Sequence, residues 1–371
     1  MELNLVITET ERAIKLERIQ KLLIRSGLDT LLLRQTSNFA WVTCGADSFI
    51  NRADSLGAAS LLITPKNRYV ITTNIEANRL IKEEKLDQQG WEIIGAPWYE
   101  QKDIVSELTK GMKLGADTNF LNAVDLSQEI ASLRSELTSE EGQRYKELGK
   151  LCAQAMQIAI DAVRPGMTEY EIGSHLMQAA ESKGIQAIVN LIATDDRIFS
   201  YRHPLPTSKK LEKYAMLVLC GRKGGLICSI TRFVHFGPLP DEIRHKEKMV
   251  AQIDAEMIAA TRPGFTMGDV LRKTQAAYGS TGFPDEWKLH HQGGSAGYAP
   301  REFTATPAST QPILIGQAFA WNPSITGAKS EDTILVGVDS NEVITEMANW
   351  PTIDVQIGGQ IIKRPAILEK H

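Results

Sequence analysis

Residues 159–184 read AIDAVRPGMTEYEIGSHLMQAAESKG, and residues 257–282 read MIAATRPGFTMGDVLRKTQAAYGSTG. Both stretches contain an Arg-Pro-Gly-x-Thr segment, and its arginines, Arg164 and Arg262, are 98 residues apart. Because proline cannot continue a helix, the first helix of each stretch should end there, and the threonine should cap a second helix that closes on the final glycine. Strand-rich sequence follows each copy. The repeat predicts two duplicated halves of paired helices and strands that enclose a cleft.

The rest of the chain predicts a second, smaller domain. A chain of 371 residues is too long for one ordinary core. Its first third alternates a helical pattern over residues 10–27 with short strand-like runs, two of which meet at the turn-like segment Pro65–Asn67. This alternation predicts a small α/β domain with a doubly wound or mixed sheet. A helix predicted from Ser139 opens the second part, so the expected domains are 1–137 and 138–371.

Composition excludes several classes of partner and location. The chain has 41 basic and 45 acidic residues, a balance that favours neither nucleic acid nor an anionic membrane as partner. No signal peptide is recognisable at the start, and no uncharged apolar run approaches the ~20 residues of a membrane helix. Four scattered cysteines (Cys44, Cys152, Cys220 and Cys228) form no CxxC pair and are expected to be reduced thiols. We therefore expect a cytoplasmic protein.

Four segments after the first repeat carry polar side chains suited to chemistry. They are Tyr201–Pro204, which contains His203; Leu217–Phe236, a predicted hairpin turning at Gly224-Gly225; Leu289–Phe303, reading LHHQGGSAGYAPREF; and Ala318–Val336, which holds Asn322 and Glu331. Each also has a purely structural explanation. A histidine before proline is more often a loop residue, and adjacent histidines on a strand point to opposite faces, so at most one of His290 and His291 is expected to enter a given site. Arg301-Glu302 would by itself be a surface ion pair.

The order of these features resembles the peptidase family of aminopeptidase P, prolidase, methionine aminopeptidase and creatinase. The resemblance covers roughly residues 140–355 and rests on two RPGxT helices, a loop His-Pro, a hairpin ending Thr-Arg, a His-x-x-Gly loop, Asn-Pro and Glu-Asp-Thr. It implies an α/β (α+β) chain, with a smaller creatinase-like N-terminal domain and a C-terminal pita-bread domain duplicated about a pseudo-twofold axis. It also implies a homodimer.

The metal ligands implied by this resemblance are largely missing. The family's metallopeptidases hold two ions with two Asp on the hairpin, one His on the His-x-x-Gly loop and two Glu on the last strands. Here no Asp or Glu occurs from Tyr214 through Pro240, Ser229 stands about where the second Asp would be, and Asn322 replaces the first Glu. One loop histidine and Glu331 cannot form a binuclear site and would form only a weak mononuclear one. We therefore expect neither a metal nor another cofactor.

Creatinase, the family's example of catalysis without metal, suggests an alternative chemistry. By resemblance, His203 would shuttle a proton, His290 or His291 would be the second histidine, Arg301 would bind a substrate carboxylate and Glu331 would hold a polarised group or orient water. Creatinase has a glutamate where this chain has Ser229, so its absence favours an amide, ureido or hydantoin-like acid over creatine.

The leading hypothesis is thus a metal-independent hydrolase of a C–N bond in a small carboxylated molecule. Its predicted catalytic residues are His203, Glu331, His290 and His291, and its predicted substrate contacts are Arg301, Asn322, Ser229, Arg232 and Tyr298. One alternative is a metallopeptidase of the Xaa-Pro type with a degenerate site, and another is a non-catalytic pita-bread module that binds a peptide or protein. A mechanism through Cys220, Cys228 or Ser229 is less favoured because no orienting third group is identifiable.

Overall fold

The computed structural model describes residues 9–100 and 102–371. They divide into two compact units: the first covers the described residues up to Glu141 together with 224–226, and the second covers 142–223 and 227–371. The start of the chain, where no signal peptide was expected, lies outside the described residues. Within the described ranges, no helix is both long enough and apolar enough to cross a membrane.

The first unit is built on one six-stranded mixed sheet. Its helices are α1 Glu9–Ser26, α2 Thr36–Val42, α3 Ala77–Lys82, α4 Ile104–Leu108 and α5 Ser127–Ser135, with a 3₁₀ turn at Asp87–Gln89. Its strands are β1 Thr30–Gln35, β2 Leu56–Ile63, β3 Arg68–Thr73, β4 Glu92–Ala96, β5 Leu114–Ala116 and β6 Val124–Asp125, in the order β4-β3-β2-β1-β5-β6. β2 and β3 pair antiparallel across the predicted turn, whereas β4 and β5 join in parallel. The predicted mixed α/β sheet is confirmed.

The second unit contains both copies of the repeat. Its helices are α6 Ser139–Ala162, α7 Glu169–Glu181, α8 Asp196–Ser200, α9 Asp241–Ala260 and α10 Met267–Ser280, with a 3₁₀ turn at Glu286–Leu289. Its strands are β7 Gln186–Thr194, β8 Tyr214–Lys223, β9 Leu226–Phe236, β10 Gly293–Ala296, β11 Phe303–Thr304, β12 Ala318–Trp321, β13 Ser324–Ile325, β14 Ala328–Lys329, β15 Asp332–Leu335, β16 Glu342–Val343, β17 Thr352–Ile357, β18 Gln360–Pro365 and β19 Leu368–Lys370. The two larger sheets have the orders β19-β9-β8-β7 and β11-β10-β12-β15-β16.

The two copies of the repeat have the same local structure. In each, the threonine of Arg-Pro-Gly-x-Thr caps the second helix through a capping box, which joins Thr168 to Glu171 in α7 and Thr266 to Asp269 in α10. The glycines of the two Arg-Pro-Gly-x-Thr segments, Gly166 and Gly264, have a left-handed backbone with φ of +89° and +90°. A residue with a side chain would be strained in this conformation. The duplication predicted from sequence is therefore present, and the pita-bread architecture is confirmed.

The two larger sheets meet where the site is built. β8 and β9 form the predicted hairpin, and Gly224 and Gly225 both have positive φ, as a two-residue type I′ turn requires. An isolated antiparallel β-bridge, outside the named strand pairs, joins Thr231 of β9 to Glu331, just before β15. In it, the Thr231 amide donates to the Glu331 carbonyl at 3.2 Å. This bridge brings the hairpin of the first copy against the last strands of the second.

Candidate active site

Three histidines from separate parts of the second unit form one cluster. His203 lies in the loop after α8, and His290 and His291 lie between the 3₁₀ turn Glu286–Leu289 and β10. The Nε2 atoms of His203 and His290 are 3.0 Å apart, and the ring centroids are separated by 4.4–5.6 Å. His290 is 8% exposed, whereas His203 and His291 reach the surface. The cluster is thus open to solvent on one side.

Both adjacent histidines contribute to this cluster, so the expectation that at most one would enter a site is wrong. That expectation assumed the alternating geometry of a strand. His290 and His291 instead precede the sheet, whose ladder begins only at Gly293, and the irregular backbone turns both rings toward His203.

A buried carboxylate with two cations forms the charged part of the site. Glu331 is only 2% exposed. Its Oε1 accepts from Arg301 Nη2 at 3.1 Å, and its Oε2 accepts from Lys329 Nζ at 2.7 Å and from the Thr231 hydroxyl at 2.6 Å. We call Lys329, Glu331 and Arg301 the charged triad. Two cations against one carboxylate leave it with a net charge of +1 if all three are ionised.

Electrostatics set the protonation of the carboxylate and the histidines. Burial raises the pKa of Glu331, but the charges of Lys329 and Arg301 and the hydrogen bonds from Lys329 and Thr231 outweigh it and bring that pKa to about 2. Burial, followed by the nearby cations, lowers the pKa of His290 to about 2 and that of His291 to about 4. The pKa of His203 is lowered for the same reasons. The site therefore holds an ionised glutamate beside neutral imidazoles near neutral pH.

The hairpin presents small neutral side chains to the triad. Ser229 Oγ lies 3.4 Å from Arg301 Nη1 and 3.2 Å from the sulfur of Cys220. Burial raises the pKa of the Cys220 thiol to about 11, so the thiol stays protonated. All four cysteines are buried, and none of them forms a disulfide. Cys220 is thus not favoured as a thiolate nucleophile.

Two further predicted substrate contacts are buried near the same strands. Asn322 follows β12, opposite Glu331 in the register that pairs Trp321 with Asp332. Its side-chain Oδ1 is buried and has no hydrogen-bond partner among the described residues. Tyr298 is 2% exposed, and its backbone N–H donates to Glu302. The Asn322 Oδ1 is thus a buried acceptor without a partner among the described residues, while the contacts described for Tyr298 are internal.

Arg232 was expected to contact substrate, but the structure places it in the core. Its guanidinium donates to Asp332 at 2.8 Å and to the carbonyls of Thr231 and Thr345, and the residue is 3% exposed. The reason is strand alternation: Ser229 and Thr231 share one face of β9, and Arg232 lies on the other. Its hydrogen bonds are therefore internal to the core.

Sequence reasoning missed two members of the site, Lys329 and Thr231. Both had a usable signal, because side chains two residues apart on a strand share a face. Lys329 precedes Glu331 by two positions, and Thr231 follows Ser229 by two. Neither residue stands out by type alone, and this explains why they were overlooked.

The site does not fit the two-metal centre of the family. The hairpin residues that reach the triad are Ser229 and Thr231, which are neutral, and both oxygens of Glu331 are already paired with cations. A centre that bridges two close cations needs several free carboxylates. Among the described residues, the one group of three close metal-ligating side chains is the histidine cluster, whose ligand atoms lie within 4.8 Å of one another.

Comparisons with known sequences point to peptidases. Residues 143–338 match the model of metallopeptidase family M24. An uncharacterized peptidase of Staphylococcus aureus strain MW2 is 22% identical over 256 residues, which cover 66% of this chain and 72% of the relative. Another uncharacterized peptidase, from Staphylococcus saprophyticus, is 25% identical over 236 residues, which cover 60% of this chain and 65% of the relative.

These relatives overturn the leading functional hypothesis. The predicted metal-independent, creatinase-like hydrolase of a small C–N substrate is wrong, because the family model and the related chains support the peptidase alternative better. The misreading came from treating lost carboxylates as evidence for one particular metal-free relative. Loss of ligands excludes a two-metal centre but does not specify a substrate.

Solved structures agree on the fold. The Xaa-Pro dipeptidase from Bacillus anthracis matches with a TM-score of 0.76 at 22% identity, over 90% of this chain and 98% of that one. The X-Pro aminopeptidase from Thermotoga maritima gives 0.74 at 17% identity, over 95% and 99%. The N-terminal domain of the FACT subunit SPT16 from chickpea gives 0.70 at 12% identity, over 92% and 97%. With its family model matched over more than half its length and its architecture shared with these proteins, the chain belongs to metallopeptidase family M24.

Proposed function

We propose that this protein hydrolyses a peptide bond in short peptides that carry a free carboxylate, as a dipeptidase or Xaa-Pro peptidase does. Two solved structures of the same fold are a Xaa-Pro dipeptidase and an X-Pro aminopeptidase. The two sequence relatives described above are also named as peptidases. These likenesses support the reaction class, and the site supports the substrate.

The observation that carries the proposal is the net positive charged triad beside the histidines. Glu331 neutralises only one of its two cationic partners, so Lys329 and Arg301 retain attraction for one further anion. Arg301 is 11% exposed at its side chain and its Nε has no hydrogen-bond partner among the described residues. An arginine guanidinium binds a carboxylate through a pair of parallel N–H groups. The C-terminal carboxylate of a short peptide is the matching group.

The remaining side chains have roles that fit a bound peptide. The histidine cluster is the reactive side, since neutral imidazole nitrogens accept protons near neutral pH. Asn322 offers its unpaired Oδ1 to a substrate N–H, and Ser229 adds a neutral hydroxyl next to Arg301. Glu331, whose pKa is about 2, stays ionised and orients the two cations.

Kinetics on paired peptides test this proposal. The substrates are a panel of dipeptides and Xaa-Pro peptides, each with a free C-terminal carboxylate or as its amide. We expect hydrolysis of the free acids, and we expect Arg301→Met to lower their kcat/KM by about 10–100-fold, the value of a hydrogen bond to a charged group. The same substitution should lower kcat/KM for the peptide amides only slightly. Arg272→Met, an exposed change on α10, is the matched control.

Two outcomes would contradict the proposal. Equal hydrolysis of acids and amides by the wild type would remove the triad as a carboxylate anchor. Absence of any peptide hydrolysis, with or without added divalent metals, would favour the binding-module alternative. The predicted homodimer and cytoplasmic location are separate inferences, and light scattering of the purified chain checks the first.

A further inference from the structure

We propose that His203, His290 and His291 bind one divalent transition-metal ion, of the zinc class, through a ligand set different from that of the family's carboxylate centre. The inference adds to the peptidase proposal and can fail independently of it, because metal binding is measured without substrate. Nothing in the family's ligand set assigns these three side chains together. Their assignment rests on the geometry of this chain.

The donor geometry is close to what a metal needs. Two imidazole nitrogens bound tetrahedrally at about 2.0–2.1 Å from zinc are roughly 3.3 Å apart. The Nε2 atoms of His203 and His290 are 3.0 Å apart, so a shift of a few tenths of an ångström accommodates the ion. All three ligand atoms lie within 4.8 Å of one another. The same two nitrogens are in hydrogen-bond contact in this structure, and both must be free of hydrogen to bind an ion.

The donor set and its exposure also fit a reactive metal. Three neutral imidazoles are a known ligand set for catalytic zinc, and they leave the fourth position for water or substrate. His203 and His291 are exposed, so the ion has an entry path, while the buried His290 anchors the site. His203 comes from the loop after α8, and the two others come from the segment before β10. The ion would therefore cross-link the two copies of the repeat.

Two features of the surroundings limit the affinity. Lys329 lines the same small cavity as His290, so its ammonium repels a dication. The Nδ1 of His290 is buried and has no hydrogen-bond partner among the described residues, so the usual outer-shell acceptor is missing. Such a partner is typically worth 10–100-fold in affinity, roughly. We expect binding weaker by about that factor than at a fully supported three-histidine site.

The positive charge of Lys329 provides a test whose expected result, tighter metal binding, cannot be produced by loss of folding. Lys329→Gln removes the repelling cation and frees one oxygen of Glu331 from its ion pair. Both changes favour a cation, so this variant should bind Zn(II) or Co(II) more tightly than the wild type, by severalfold to about 10-fold. A merely damaged site would bind less tightly.

The experiment uses the untagged full-length protein, freed of metal by a chelator and then titrated with Zn(II) in a calorimeter. Co(II) is titrated in parallel, because its visible absorption is stronger in four-coordinate than in six-coordinate sites. We expect close to one ion per chain, weaker binding by at least about 10-fold in His203→Ala and His291→Ala, and tighter binding in Lys329→Gln. His245→Gln, an exposed change on α9, serves as control.

The possible outcomes divide clearly. One ion per chain that depends on His203 and His291, but not on His245, supports the site. Binding of two ions, undiminished binding in both alanine variants, or no binding at millimolar metal would each overturn it. Reduced affinity in Lys329→Gln would also count against it. Peptide hydrolysis does not enter these measurements, so a failure here leaves the peptidase proposal to its own test.

Discussion

Glu331 and Asp332 are neighbours in sequence, and both are buried, yet they belong to different parts of the molecule. Each carboxylate binds two cations and one threonine hydroxyl. Glu331 faces Lys329 and Arg301, whereas Asp332 faces the core, where the arginines are also matched by a second acid, Asp254.

The difference between the two clusters is their charge balance. The core cluster pairs Arg232 and Arg364 with Asp332 and Asp254, so its formal charges cancel. The charged triad has an uncancelled positive charge and borders the histidines. Burial and ion pairing alone therefore do not identify a functional site here. We therefore propose the charged triad, whose charges are incompletely compensated, as the cluster that binds a ligand.

The largest expected effect is a loss of peptide hydrolysis when Glu331, but not Asp332, is neutralised. Glu331→Gln removes the charge that orients Arg301 and Lys329, and we expect kcat/KM for short peptides to fall by about 100-fold, the upper range for loss of a hydrogen bond to a charged group. Initial-rate kinetics at neutral pH measure it.

Asp332→Asn is the matched control, since it alters the neighbouring acid by the same substitution. Its folded fraction should keep activity within a few-fold of the wild type. If both variants lose activity equally, the distinction between site and core is wrong.

The next effect concerns stability. Asp332→Asn leaves Arg232 and Arg364 partly unpaired in the interior, and breaking a buried ion pair in this way costs about 3–5 kcal/mol. We expect a lower urea midpoint, measured by circular dichroism. An unchanged midpoint would show that the core cluster adds little to folding.

Acid should weaken the site through Glu331. Its pKa in the folded protein is about 2, below the usual 4.5, so its stabilising contribution is complete above pH 4.5 and is lost as the pH falls toward 2. The shift corresponds to about 3 kcal/mol. Unfolding free energies measured from pH 6 to 2.5 should decline, and Glu331→Gln should decline less steeply. Parallel curves for the two proteins would refute this assignment.

The smallest effect comes from the two threonines. Thr231 and Thr345 each donate to a carboxylate oxygen at 2.6 Å, the first to Glu331 and the second to Asp332. Valine at either position should lower the free energy of unfolding by about 1.5 kcal/mol. Only Thr231→Val should change peptide kinetics. An equal kinetic effect of Thr345→Val would remove the contrast between the clusters.

Much of the fold was predictable from sequence because its signals are local. The Arg-Pro-Gly-x-Thr segments end and cap helices through their own backbone chemistry, and Gly224-Gly225 specifies a tight turn. Glu331, Arg301 and His203 were also singled out from motif order, and the structure pairs Arg301 with Glu331 and places His203 against His290. The joint role of His290 and His291 was not predicted, since it depends on an irregular backbone that no periodicity signals.

The sequence by itself determined the duplicated architecture, the family resemblance and the loss of the family's carboxylate ligands. These follow from covalent constraints and from residue types at given positions. Only the tertiary structure decided which charges meet: that Lys329 joins Glu331, that Arg232 turns to the core, and that three histidines converge. The physical reason is that such pairings depend on contacts between segments far apart in the chain, whose geometry is set by packing.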